Sequence, residues 1–452
     1  MWILAGATAV GNRYIFPVPS YESKPYMRSI SILVVALAAC GGHEAATPAS
    51  NAMVQVATSG VPAAGAATVA QAGPASADSL TITPVSTSAP SLGAPAANTT
   101  GAASRADGAP IADPGIVRGL YVNRFAAQST RRMHGLIAIA DSTEINAFVI
   151  DMKDEFGLNY ESHDSTVSRN AGKAGRVPQL VALLDTLKAH HILPIARLVV
   201  FKDSVAARVN PNHVIRQPSG APWRDKRGLT WVDPYDRAIW EYNIRVAEEL
   251  ARLGFGEIQF DYIRFPEPYK SLPPQVFRDA AGVSKPQALA DFFRAACPRI
   301  HRAGARCTGD IFGLVTTVNG ALEVGQEWER LAPVADVLLP MVYPSHYPRG
   351  SFGAARPNAE PYRIVKAAIT RAHERDLKLG LTKPERVRPW LQAFTLGQPH
   401  YGAHEIAEQK RAVYDSGYDG WVLWHPGSLY QTFIPAFEKQ TVSRKKALAK
   451  NP

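Results

Sequence analysis

The sequence predicts an α/β protein whose folded part is a single (β/α)8 barrel, preceded by a signal segment and a disordered linker. Three observations predict it. From about residue 115 onward, short runs rich in β-branched and aromatic residues alternate with segments of helical periodicity, the pattern of parallel strands joined by helical crossovers. Eight such strands can be counted with no linker or solenoid repeat between them, which is the number a closed barrel needs. Polar and charged residues recur where these strands end, the place where such a barrel presents its chemistry. A doubly wound open sheet shares the alternation, but no glycine-rich phosphate loop follows the first strand.

The strands are expected over residues 116–123, 146–153, 192–201, 257–265, 306–312, 335–343, 388–394 and 419–424. Helical segments are expected over 134–140, 178–190, 235–253, 286–303, 326–332, from Pro361 onward, and over 404–416. Asp233-Pro234 reads as the start of the helix over 235–253, with proline near the first helical position. The fourth strand lies in GFGEIQFDYIRFP, residues 254–266. Side chains alternate across a strand, so Ile258 and Phe260 share one face and Gln259, Asp261 and Ile263 the other. An aspartate late in such a strand suits a barrel mouth. An N-cap role fits it poorly, because Pro266 and Pro268 follow and no helix begins nearby. A salt bridge, with Arg264 for instance, is the structural alternative.

The ends read differently. Met27-Arg28, an apolar run over 30–39 and LAAC-GG around Cys40 resemble a bacterial lipoprotein signal, with an apolar core too short to span a bilayer. In that reading residues 1–40 are signal with a true start at Met27, and Cys40 becomes the lipidated first residue. The protein would then sit in the bacterial cell envelope, anchored to the membrane and facing the periplasm or the cell surface. An ordinary signal peptide cleaved elsewhere is the alternative. Residues 41–114 are dominated by Ala, Ser, Thr, Pro and Gly, a composition that cannot bury enough apolar surface to offset chain entropy, so a disordered tether is expected. The barrel spans 115–440, and 441–452 is a basic tail expected to be solvated.

The net charge is +10, yet no basic stripe interleaved with aromatics occurs, so nucleic-acid binding is not expected; an anionic polymer or membrane headgroups are weaker alternatives for what the charge meets. Cys297 and Cys307, on a predicted helix and the strand after it, could form a disulfide in an oxidising compartment or stay as buried thiols.

The strand ends deliver Tyr121 and Asn123, Asp151 and Lys153, Arg197 and Phe201, Asp261 and Arg264, Asp310, Tyr343 and His346, Trp390 and Gln392, and Trp424 and His425. Carboxylates, amides and aromatic rings around one mouth suit a poly- or oligosaccharide, whose C–H faces stack on rings and whose hydroxyls take directional bonds. Cleaving a glycosidic bond needs two carboxyl groups, one to protonate the leaving oxygen and one to act as nucleophile or base. Asp261 and Asp310 are expected to be this pair, because neighbouring parallel strands lie about 4.8 Å apart. Asp151 is a third candidate, with Lys153 two residues on expected to pair with it. Tyr343, Trp390, Gln392 and Trp424 are expected to hold sugar rings, with Tyr121, Arg197 and His346 beside them. Arg264 is expected to orient Asp261. No metal or cofactor is predicted: the first strand has no histidine pair, and His404-Glu405 has no second histidine four residues after the first. An aldolase-type barrel would rest on Lys153 alone. A glycan-binding module without catalysis would need the rings but not two acids close together.

The set GLYVN, NAFVIDMKDEFG, RLVVFKD, WVDPYDRAIWEYNI, GFGEIQFDYIRFP, GDIFGLVTT, GQEWE, VLLPMVYPSHY, RPWLQAF and DGWVLWHP resembles the bacterial putative glycosyl hydrolase domain family over about residues 115–430. FDYIRFP is also similar to the fourth-strand phrase of alpha-amylase-like glycosidases, whose nucleophile is an aspartate ending that strand. That resemblance implies a nucleophile at Asp261. Amylase-like enzymes usually place a glutamate acid on the fifth strand, where this chain has Asp310. Glycosidases with glutamates ending strands four and seven do not match, since those positions hold Asp261 and Gln392.

Overall fold

The computed structural model describes residue 111 and residues 113–447, apart from 279, 281 and 383–385. Cys40 and the tether before residue 111 lie outside the described residues. Nine strands form one sheet: β1 Arg118–Val122, β2 Ala147–Asp154, β3 Gly157–Leu158, β4 Leu193–Val199, β5 Glu257–Asp261, β6 Arg306–Phe312, β7 Val337–Val342, β8 Trp390–Gln392 and β9 Trp421–Trp424. Their order is β1-β9-β8-β7-β6-β5-β4-β2-β3, and β1 also pairs with β2, which closes the barrel. Every pair around the ring is parallel. The sequence had not indicated β3, a two-residue strand that folds back antiparallel on the end of β2.

Helices Thr130–Ser142, Leu180–Ala189, Arg237–Leu253, Lys285–Arg302, Pro361–Lys378 and Ala403–Asp415 surround the ring. The oxygens of Ser129, Asp236 and Ser284 accept backbone N–H bonds at three of their starts, satisfying donors the first helical turn leaves free. The helix expected to start at Asp233-Pro234 thus starts later, because Asp236 is its cap. Asp233 instead accepts from the backbone of Tyr235 and Arg278.

Outward faces of the strands pack on the helices. Phe260 lies with its ring centroid 5.0 Å from that of Phe292 and 6.0 Å from that of Phe293. Inward faces fill the barrel with Val149, Ile195, Leu339, Val422 and their neighbours. Below them Arg388 pairs with fully buried Glu257 at 2.7 Å, and Thr308 donates to the same carboxylate at 3.1 Å. A buried charge is tolerable only when paired in this way.

Strand β6 is held tightly. Cys297 and Cys307 form a disulfide between the helix Lys285–Arg302 and β6. A Cβ on Gly309 would lie 2.5 Å from the Phe293 ring, so only glycine lets strand and helix approach this closely. The described part of the C-terminal segment is exposed, as its charge predicts, yet its start is tied down. Asp419 accepts from Ser443 Oγ and from the backbone N–H of Arg444 and Lys445, which fixes the start of the basic tail against the barrel. No helix among the described residues is long and apolar enough to cross a membrane.

Candidate active site

One guanidinium gathers the acids at the mouth. Arg197, on β4, donates Nη1 to Asp151 Oδ1 at 2.5 Å and Nε to Asp261 Oδ2 at 3.0 Å, with Nη2 on the same Asp261 oxygen. Its Nε is also 3.9 Å from Asp310 Oδ2. Asp151 leaves β2, Asp261 ends β5 and Asp310 sits on β6, so four strands converge here. Both Oδ2 atoms lie near one nitrogen, which caps their separation at about 7 Å, no farther apart than paired glycosidase carboxyls can be.

Asp310 is almost wholly enclosed, at 1% exposure. Its Oδ1 accepts from Trp390 Nε1 at 2.6 Å and Gln259 Nε2 at 2.7 Å, while buried Oδ2 has no hydrogen-bond partner. Burial, then the nearby Asp261 charge, pushes its carboxyl well above the usual range despite Arg197. Two N–H donors on one oxygen mark it as the carbonyl oxygen, so the proton belongs on Oδ2. Asp261 accepts from Arg197 and, through Oδ1, from the Tyr262 backbone N–H at 2.5 Å. Tyr262 has φ of 50°, left-handed backbone that a bulky residue rarely adopts. Burial raises Asp151, with Arg197 opposing it. Burial and that carboxyl keep the Tyr121 phenol protonated, and it donates to Asp151 Oδ2.

Rings line the other side. Trp424 on β9 lies 6.0 Å from Tyr121, 5.7 Å from Tyr343 and 5.1 Å from Phe394, between ring centroids. His346 is exposed at the rim, 5.4 Å from Tyr343. Phe394 was not singled out from sequence, although it closes the phrase RPWLQAF.

Four expected roles change. Trp390 does not hold a sugar ring, because it is buried in the barrel core and gives its indole N–H to Asp310. Lys153 does not pair with Asp151. The register shifts between these residues on β2, and Lys153 pairs with Asp203 at 2.7 Å over the Tyr242 ring, away from the mouth. Arg264 does not orient Asp261. The left-handed turn at Tyr262 ends the strand alternation, so Arg264 pairs with Glu267 at 3.1 Å and bonds its neighbour's carbonyl. For the same reason Ile263 joins the outer core. Gln392 is fully buried and spends its amide on Ser345 N and Phe394 O, so it holds loops together and offers no free group to a sugar. Gln259 shares the inward face with Asp261, as strand alternation predicts, and bonds Asp310 on the neighbouring strand. Among the described residues no group of three or more His, Cys, Asp and Glu side chains is arranged to hold a metal ion.

The chain is 35% identical to a hypothetical protein from Ruminiclostridium thermocellum ATCC 27405, over 40% of this chain and 92% of that one, with a TM-score of 0.37. The glycoside hydrolase domain of PgaB (BpsB) from Bordetella bronchiseptica shares the fold at 17% identity, over 71% of this chain and 97% of that one, with a TM-score of 0.51. A class V chitininase from Pseudomonas fluorescens Pf-5 aligns at 12% identity over 71% and 98% of the two chains, with a TM-score of 0.45. No curated protein matches the chain. Residues 119–430 match the model of a family described as "Putative glycosyl hydrolase domain". That span holds every barrel strand but the first residue of β1. The chain therefore belongs to the putative glycosyl hydrolase domain family, and its barrel is of the glycosidase type.

Proposed function

We propose that the barrel hydrolyses glycosidic bonds of an envelope or extracellular polysaccharide, with Asp310 as proton donor and Asp261 as nucleophile or base. The observation that carries this reading is Asp310 Oδ2: enclosed, without a hydrogen-bond partner, and close to a second carboxylate held by Arg197. A carboxyl kept protonated by burial is what acid catalysis at neutral pH requires. Its proton passes to the glycosidic oxygen as the bond from that oxygen to the anomeric carbon breaks. Asp261 either attacks that carbon, forming a glycosyl-enzyme that water then hydrolyses, or takes a proton from the attacking water. In the first route Asp310 regains its proton from the water that hydrolyses the glycosyl-enzyme; in the second, Asp261 releases the water's proton to solvent and Asp310 takes one back. Trp424, partly exposed and packed on buried Tyr343 and Phe394, offers an apolar face to the sugar.

The test is a screen of the full chain against envelope and extracellular glycans, read as new reducing ends. Asp261→Asn and Asp310→Asn should each lower kcat by roughly 10²–10⁴-fold. Turnover surviving either change overturns the assignment. Glycan binding by the wild type without turnover would return the alternative, a binding barrel without catalysis.

For the anchor, we propose that Cys40 carries lipid in the cell envelope, a reading supported by LAAC-GG. Cys40→Ser should release the protein from the membrane fraction and abolish labelled fatty-acid incorporation. A variant that stays membrane-bound, with no label on the wild type, sinks it.

A further inference from the structure

Beside Asp261, opposite the aromatic side, the ends of β4 and β5 build a different surface. Lys202 follows β4, and the backbone there continues to pair with the β5 side: Val200 N–H donates to Asp261 O at 2.8 Å. The Lys202 ammonium lies 4.9 Å from the centroid of the Tyr262 ring, and Arg264 lies 4.9 Å from the same centroid. The residue directly after the proposed nucleophile thus has two cations within 4.9 Å of its ring centroid.

Lys202 is under-satisfied. Its side chain is 12% exposed, makes no hydrogen bond among the described residues, and has Asp225 Oδ2 at 3.9 Å as its ion-pair partner. Asp225 is already occupied, accepting from Trp231 Nε1 at 3.0 Å and from the backbone of Arg227 and Leu229. An ammonium has three donors, and removing it from water without filling them is costly. The turn that Asp225 holds carries Arg224, Lys226 and Arg227, all exposed. Cationic groups therefore continue from Lys202 onto the surface. The chain as a whole has 49 Lys and Arg against 39 Asp and Glu, which favours approach of polyanions.

We infer that this surface is a subsite for a carboxylate-bearing sugar, and that the polysaccharide acted on is anionic. The inference rests on the glycosidase reading and names its substrate class. A sugar carboxylate seated on Lys202 fills its open donors, while the exposed turn follows the next acidic units of the chain.

The experiment uses the full-length protein with polygalacturonate, alginate and hyaluronan, each beside its carboxyl-reduced form, measured by affinity electrophoresis and calorimetry. At least one acidic polymer should bind tenfold or more tightly than its reduced form. Lys202→Gln should erase that preference at an unchanged melting temperature, and Lys202→Arg should keep it. Equal binding of acidic and reduced polymers, absence of acidic-polymer binding, or a preference that survives Lys202→Gln overturns the subsite. Cleavage of a neutral glycan with no such preference overturns the subsite alone. Absence of turnover on every glycan, with acidic polymers still bound, overturns catalysis and leaves the subsite standing.

Discussion

Trp390 donates its indole N–H to Asp310 Oδ1 at 2.6 Å, reaching past β7 from β8 to β6 inside the barrel. A bond of this kind favours the ionised carboxylate, so it restrains the rise that burial imposes on Asp310. Trp390→Phe should therefore lift the Asp310 pKa further. The basic limb of the pH–rate profile should move up, because the acid keeps its proton to higher pH. Loss of a hydrogen bond to a charged group is worth about 1.5–3 kcal/mol, so kcat should fall roughly tenfold to a hundredfold. A variant with reduced kcat and an unmoved basic limb would show Trp390 to be packing only.

Asp310 also links stability to pH. Its folded-state pKa is raised, so the folded protein binds more protons than the unfolded chain between the ordinary carboxylate pKa and the raised value. Stability falls as pH rises through that window. Asp310→Asn mimics the protonated acid and should raise the melting temperature at neutral pH, by about 1–2 kcal/mol of added stability. The gain should vanish near pH 3, where both states of the wild-type residue are protonated. A destabilised variant at neutral pH would assign Asp310 to the scaffold.

Arg197 is shared among three carboxyl groups. Arg197→Met leaves them facing one another without a cation, and stranding buried charge costs roughly 3–5 kcal/mol. Adding Asp261→Asn to Arg197→Met should recover part of the loss, since neighbours in one network are not additive. Urea unfolding of the four proteins of that cycle checks it. Strict additivity would mean that Arg197 does not couple the acids.

The disulfide between Cys297 and Cys307 closes a short loop onto the strand that carries Asp310. Replacing both cysteines by alanine should cost about 2–3 kcal/mol, seen as a lower melting temperature that reductant no longer changes. Equal melting of wild type and variant without reductant would show the bond to be neutral.

Much of this was legible in the chain because a barrel repeats one simple rule. Alternation along EIQFD and RCTGDIF puts Asp261 and Asp310 on inward faces. The rule failed wherever the backbone left the regular strand. The register shift after Asp151 turned Lys153 toward Asp203, and the left-handed Tyr262 released Arg264 and Ile263 from their expected faces. Both are single-residue backbone events without a composition signature. Arg197 was placed at the mouth, but its role as the shared cation depends on distances between strands far apart in sequence. The tail is exposed as its charge suggests, but the hold of Asp419 on its backbone left no mark in the composition.

With Asp310 as the proposed proton donor, its enclosure also constrains the shape of what would be cut. An aspartate is one methylene shorter than a glutamate, and here two donors pin it at the floor of the mouth. It cannot rise to meet a polymer lying straight across the rim. On that proposal the scissile oxygen would have to descend to it, so a long substrate would either bend sharply at that linkage or enter end first.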